Sequence, residues 1–130
     1  MGTLAYIAPE ILENKSYTKE VDIYSFGIML AELFTGAIRF GPDCEVVNDV
    51  SLSTRKLNDT NLVPCMKIRT TGVELIPPLC ALIEECVRRQ PIERPTMSQI
   101  LEKLTRMRDL NIFGDQRKRQ QRGSNSSGYR

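Results

Sequence analysis

Four cysteines and no histidine set the first limits on the chemistry open to this chain of 130 residues. Cys44, Cys65, Cys80 and Cys86 form no Cys-x-x-Cys pair, and no histidine is present to complete a zinc site. The same lack removes every Ser/His/Asp or Cys/His arrangement for nucleophilic attack. The cysteines read as reduced thiols of an intracellular protein, with Cys80 and Cys86 as small core residues in an apolar helical pattern. Other groups with chemical potential are scattered. Thr3 and Tyr6 lie with Gly2, Leu4 and Ala5 in a run that closes on Ala8-Pro9-Glu10. Asp22 opens an apolar segment, and Arg94 precedes Pro95. Such distant groups meet only if a fold brings them together.

The elements that would position them are readable in part. Pro9 to Glu13 suits one helical turn, since proline is tolerated at a first helical position. Asn14 to Tyr17 is a polar connector. The strongest helix follows, with Thr18 as N-cap, Lys19 and Glu20 in the first turn, and a body from Val21 to Phe34. Thr35 ends it and Gly36 supplies the left-handed stop. This helix is apolar nearly all round, which predicts burial on most sides and a place at the axis of the core. Gly27 inside it costs about 1 kcal/mol against alanine, which close approach of another segment would explain.

Residues 37–76 carry weaker signals. Gly41-Pro42 marks a turn. Glu45 to Val50 is read as a short helix, Ser51 to Thr60 as a polar mobile stretch and Leu62 to Ile68 as extended. Thr70-Thr71-Gly72 is a loop. Pro77-Pro78 opens a helix over Leu79 to Arg89, with Leu79, Leu82, Ile83, Cys86 and Val87 at helical spacing. Gln90 to Pro95 is a structured loop. Thr96-Met97-Ser98-Gln99 fits a capping box at the head of a last helix reaching 110. Its expected buried stripe is Ile100, Leu101, Leu104, Met107 and Leu110.

Three blocks in order carry a resemblance to eukaryotic protein kinases. Gly2-Thr3-Leu4-Ala5-Tyr6-Ile7-Ala8-Pro9-Glu10 resembles the end of the activation segment, which closes with Ala-Pro-Glu. Asp22-Ile23-Tyr24-Ser25-Phe26-Gly27 is similar to the family's Asp-x-x-Ser-(Phe/Leu)-Gly helix. Cys86-x-x-x-x-Pro91-x-x-Arg94-Pro95-Thr96 is the third block. Together they cover residues 1–110, with a poor match over 37–74, an interval longer than is usual in the family. The resemblance implies a mostly α fold, the helical C-terminal lobe of a kinase from the Ala-Pro-Glu segment onward. It also implies that Met1 is an internal residue of a longer kinase, with a real short product as the alternative.

The resemblance implies roles for single residues. The family's Ala-Pro-Glu glutamate makes a buried bidentate ion pair with the arginine of the third block, here Glu10 and Arg94. The alternative leaves both as ordinary surface charges. Asp22 resembles the aspartate that accepts hydrogen bonds from the catalytic-loop backbone, or else it is a first-turn acid favoured by the helix dipole. Thr3 resembles the threonine that hydrogen-bonds the catalytic aspartate. Leu4, Ala5 and Tyr6 would line the pocket beside the phosphoacceptor. The Gly-Thr-x-x-Tyr-x-Ala-Pro-Glu pattern looks like a serine/threonine kinase, while the Ser25-Phe26-Gly27 helix resembles tyrosine kinases and their relatives. The combination suits the tyrosine-kinase-like group with Ser/Thr specificity.

Phosphoryl transfer needs several parts acting together. The sequence holds no Gly-rich phosphate loop, no Val-Ala-Ile-Lys strand, no Asp-Phe-Gly and no His-Arg-Asp. Catalytic and cofactor-binding residues are therefore expected outside this chain. ATP and Mg2+ belong to a complete parent domain, with its N-lobe and catalytic loop, acting on a Ser/Thr protein substrate. A non-catalytic, pseudokinase-like interaction module is the competing expectation, because an open helical lobe exposes apolar surface.

Charge divides the chain in two. The net charge is +2. Residues 114–130 hold five basic side chains and one acid, giving +4 and leaving 1–113 at −2. The expected domains are therefore a partial kinase domain over 1–113 and a disordered basic tail over 114–130. Arg117-Lys118-Arg119 and Arg122 form a candidate nuclear localisation signal, so the cytoplasm is the expected location with the nucleus as the alternative. Without interleaved aromatics a nucleic-acid partner is not expected. No run of about 18 apolar residues predicts a membrane span, no signal peptide is visible, and Tyr6 stands where myristoylation wants Ser or Thr.

Overall fold

The computed structural model describes residues 3–41, 43–45 and 48–110. The expected basic tail, 114–130, lies outside the described residues. The fold is mostly α. A short 3-10 helix, Thr3–Tyr6, leads into α1, Pro9–Leu12. Then come α2, Glu20–Thr35, and α3, Asp49–Asn58. The chain continues through α4, Pro77–Cys86, a 3-10 turn at Pro91–Glu93, and α5, Met97–Asp109. Strand pairing among the described residues is limited to isolated bridges, Phe40 with Glu45 and Pro64, and Lys67 with Glu74. The extended course expected for Leu62 to Ile68 uses two of them.

α2 is the axis of the core. On one side Ile23, Leu30 and Ala31 pack with Leu79, Leu82, Ile83 and Cys86 of α4 and with Ile100 and Met107 of α5. On the other, Tyr24 and Ile28 pack with Ala5, Ala8, Phe40, Leu52, Leu62 and Val87. Between these clusters one face stays open. Asp22 is exposed, as are Met29 at 48% and Leu33 at 72%. The all-round burial expected of this helix thus holds for two faces and fails on the third. The φ of Gly36 is +91°, and its N–H donates to Glu32, so the helix stops in the left-handed conformation that glycine allows.

Gly27 marks where α2 and α4 nearly touch. A Cβ at this position would lie 2.6 Å from Cys86 Cβ and 2.9 Å from Val87 Cγ1. Alanine would gain about 1 kcal/mol of helix propensity, but overpacking costs about 1–3 kcal/mol. Gly27→Ala is therefore expected to lower stability by about 1 kcal/mol net, read by urea unfolding. A midpoint equal to the wild type would mean that α2 and α4 part freely.

Several boundaries differ from expectation. Thr18 is not the side-chain cap of α2. Its hydroxyl bonds the Glu20 carboxylate, and the chain enters through tight turns, Val21 N–H to Thr18 O and Asp22 N–H to Lys19 O. The helix expected near Glu45 to Val50 instead begins at Asp49 and runs through the stretch read as mobile. Asn48 explains the shift, since its side chain accepts from Ser51 N–H at 2.9 Å. α4 ends at Cys86 rather than Arg89, because Arg88 and Arg89 turn away into contacts described below. In α5 the capping box of Thr96 and Gln99 is present in both directions. Leu101 and Leu110 leave the expected stripe. Leu101 is 66% exposed, being turned about 100° from the buried Ile100.

The cysteines split into two kinds. Cys80 and Cys86 are free thiols, Cys86 fully buried, and burial pushes its pKa up to about 12. Cys44 and Cys65 form a disulfide, which corrects the expectation of four reduced thiols. The bond closes a loop that contains all of α3.

Candidate functional site

The segment from Thr3 to Ile7 is a strap whose backbone carbonyls are taken one after another by side chains from two helices. Lys56 of α3 donates from Nζ to the carbonyls of Leu4 at 2.9 Å, Ala5 at 2.8 Å and Ile7 at 2.7 Å. Ser25 of α2 donates from Oγ to the carbonyl of Tyr6 at 2.8 Å. The Tyr6 hydroxyl in turn donates to the Glu32 carboxylate, which raises the phenol pKa because the acceptor favours its protonated form. Within the strap Ala5 is fully buried, and Leu4 and Tyr6 are half-buried. Thr3 begins the strap, and Gly2 lies outside the described residues.

Glu10 and Arg94 anchor the end of the strap. Both Arg94 Nη atoms donate to the Glu10 carboxylate at 2.8 Å, in a bidentate pair with side-chain exposures of 0% and 5%. The remaining guanidinium N–H groups are also placed. Nε donates to Arg88 O at 2.7 Å, Nη1 to Glu20 O at 2.9 Å and Nη2 to Arg89 O at 3.3 Å. All five donors of the fork are therefore used, and the guanidinium sits 5.3 Å from the Tyr24 ring centre. A buried pair so fully hydrogen-bonded ties α1, the entry to α2 and the exit of α4 to one point.

A second arginine braces the same region. Arg89 bonds the Glu13 carboxylate at 2.7 Å and the carbonyls of Lys56 and Leu57 at 3.0 and 2.9 Å. Those carbonyls belong to the last turn of α3, where a cation complements the helix dipole. Asp22 stands apart from these contacts, exposed in the first turn of α2 beside the open face of Met29 and Leu33.

Lys56, Glu32, Arg89 and Glu13 are not among the site residues that the sequence pointed to, and Ser25 is there only as part of the quoted helix motif. For Lys56 the available signal is the Asn48 cap with Leu52 and Lys56 spaced four apart, which puts both on one face.

Lys56 is 1% exposed, with its ammonium 4.8 Å from the Tyr24 ring centre and 5.7 Å from that of Phe40. Among the described residues no carboxylate pairs with it. Three carbonyl oxygens satisfy the N–H groups instead. Burial lowers its pKa from 10.5 to about 7. The unfolded chain keeps this proton up to about pH 10.5 and the folded chain releases it near pH 7, so within that window the unfolded state binds more protons. Lys56 therefore adds a rise in stability with pH from about 7 to 10.5 and no slope below 7. Urea midpoints at several pH values should show that rise in the wild type and lose it in Lys56→Met. An equal slope in both would refute it.

Comparison with known proteins decides what this architecture is. A protein kinase domain model matches residues 1–104. The chain belongs to the protein kinase domain family. As a kinase chain it is 33% identical over 110 residues to a protein kinase and PP2C-like domain-containing protein of Arabidopsis thaliana, covering 78% of this chain and 16% of that one. A probable serine/threonine-protein kinase of Dictyostelium discoideum is 39% identical over 103 residues, covering 79% and 6%. Mitogen-activated protein kinase kinase 3 of Arabidopsis thaliana is 32% identical over 103 residues, covering 78% and 18%. The chain thus spans less than a fifth of the length of these relatives. Its helical architecture is that of a kinase C-lobe. No helix among the described residues is long and apolar enough to cross a membrane.

Among the described residues no group of three or more His, Cys, Asp or Glu can hold a metal ion. The buried Lys56 spends its three N–H groups on backbone carbonyls.

Proposed function

We propose that this kinase chain is the substrate platform of a protein serine/threonine kinase, one of the tyrosine-kinase-like group. The complete domain would transfer the γ-phosphate of ATP, with Mg2+, to Ser or Thr of a protein substrate. The observation that carries this is the strap Thr3–Ile7, fastened at four successive carbonyls and anchored at its end by the buried Glu10–Arg94 pair. A segment held this rigidly can present one fixed surface to a peptide, which is what positioning catalysis requires. The serine/threonine kinases among the relatives support the choice of acceptor, and the Ser25-Phe26-Gly27 helix supports the tyrosine-kinase-like group. Asp22, Met29 and Leu33 form the face against which we place the catalytic loop and the helix behind it. An interaction module without catalysis is the second reading, favoured by the same open apolar face.

The test is phosphate transfer by the complete product of the gene. Radiolabelled ATP and Ser, Thr and Tyr peptides should give label on Ser and Thr alone. Label on Tyr would overturn the acceptor assignment, and no label at all would favour the interaction module.

A further inference from the structure

Lys56 is the feature least explained by folding alone. A buried cation needs a partner, and leucine or methionine would fill the space between Tyr24 and Phe40 at lower cost. Instead the ammonium collects three carbonyls from one short segment, 49 to 52 residues away in sequence. Pulling the carbonyls of Leu4, Ala5 and Ile7 to one point fixes the backbone of the strap from within. α3 is itself fixed, by Arg89 on its last-turn carbonyls and by the Cys44–Cys65 bond around it.

We propose that Lys56 is a positioning residue for the peptide substrate: by holding these three carbonyls inward it sets the surface that Leu4 and Tyr6 offer to residues flanking the phosphoacceptor. This rests on the substrate-platform function proposed above. Lys56 touches no substrate and acts through the strap. Its ammonium is suited to the task because its three donors radiate from one atom, whereas a guanidinium presents a planar fork.

Two measurements test it. In the full 130-residue chain at pH 6, where Lys56 keeps all three N–H donors, amide hydrogen exchange is followed for residues 3–8, α4 and α5 in the wild type, Lys56→Met and Lys56→Arg. Both variants should speed exchange in 3–8 about tenfold or more and leave α4 and α5 unchanged. In the complete gene product, Lys56→Arg should raise KM for a Ser peptide about tenfold, leave KM for ATP unchanged, and alter the preference for residues next to the phosphoacceptor. Unchanged exchange in the strap would overturn the proposal, as would a rise shared equally by α4 and α5. A faster strap with an unaltered peptide KM and preference would overturn it too. If Lys56→Met does not fold, Lys56→Arg keeps the charge and carries both comparisons. Failure of the underlying function is seen separately, as absence of phosphate transfer by the unmodified product.

Discussion

Arg94→Met is expected to cost about 3–5 kcal/mol of stability, because it leaves the Glu10 carboxylate buried without its partner. The loss extends beyond the pair. The carbonyls of Glu20, Arg88 and Arg89 lose their donor at the same time. Domains of this size hold about 5–15 kcal/mol in all, so the variant should sit near the edge of folding, with a urea midpoint far below the wild type. Glu10→Gln should cost less, since a neutral amide oxygen still accepts from the guanidinium. The double variant should cost less than the two singles combined, because neither charge is then stranded. Lys103→Met is the contrast. Its pair with Glu85 is 2.6 Å long but 44% and 26% exposed, so loss of the lysine should shift stability by about 1 kcal/mol or less. An Arg94→Met midpoint as mild as that of Lys103→Met would show that the buried pair is not an anchor.

The legible parts of this fold are those where local physics and tertiary packing agree. α2, α4 and α5 each carry an apolar period longer than two turns, and α5 also has a reciprocal cap written in Thr96 and Gln99. Their existence follows from the sequence within a residue or two at most ends. α3 does not follow, for a physical reason. Its buried face consists of Leu52 and Lys56, and any hydropathy pattern scores a lysine as exposed. The strongest local sign is the Asn48 cap, inside the stretch from Glu45 to Val50 that reads as a short helix. The Glu10–Arg94 contact spans 84 residues, a distance at which periodicity says nothing. Family resemblance alone linked the two positions, and the arrangement of all five guanidinium donors is visible only in three dimensions. The open face of α2 was hidden by the opposite effect. Met29 and Leu33 are as apolar as the buried residues beside them, so composition alone could not mark them as uncovered.

Reducing the Cys44–Cys65 bond is expected to cost about 3 kcal/mol. The two residues are 21 apart, and a loop of that size restricts the unfolded chain by about that amount in the loop-closure model. The corresponding fall in Tm is on the order of 10–20 °C for a domain of this length. The loop holds α3 whole, and with it Leu52 in the core and Lys56 under the strap. Its loosening should therefore reach beyond 44–65. Amide exchange in residues 3–8 should quicken under reductant, while α5, which packs on the far side of α2, should keep its protection relative to the global unfolding limit. Cys44→Ser/Cys65→Ser should behave like the reduced protein and no longer respond to thiols. Cys80 and Cys86 are free thiols before and after reduction, so a reductant acts only on the Cys44–Cys65 bond. If reduction leaves Tm in place, the bond adds nothing to the fold, and Arg89 with the Asn48 cap suffices to hold α3. If Tm falls without any change in the strap, α3 and the strap are uncoupled. The three carbonyls at Lys56 would then be a consequence of packing rather than the link through which α3 controls residues 3–7.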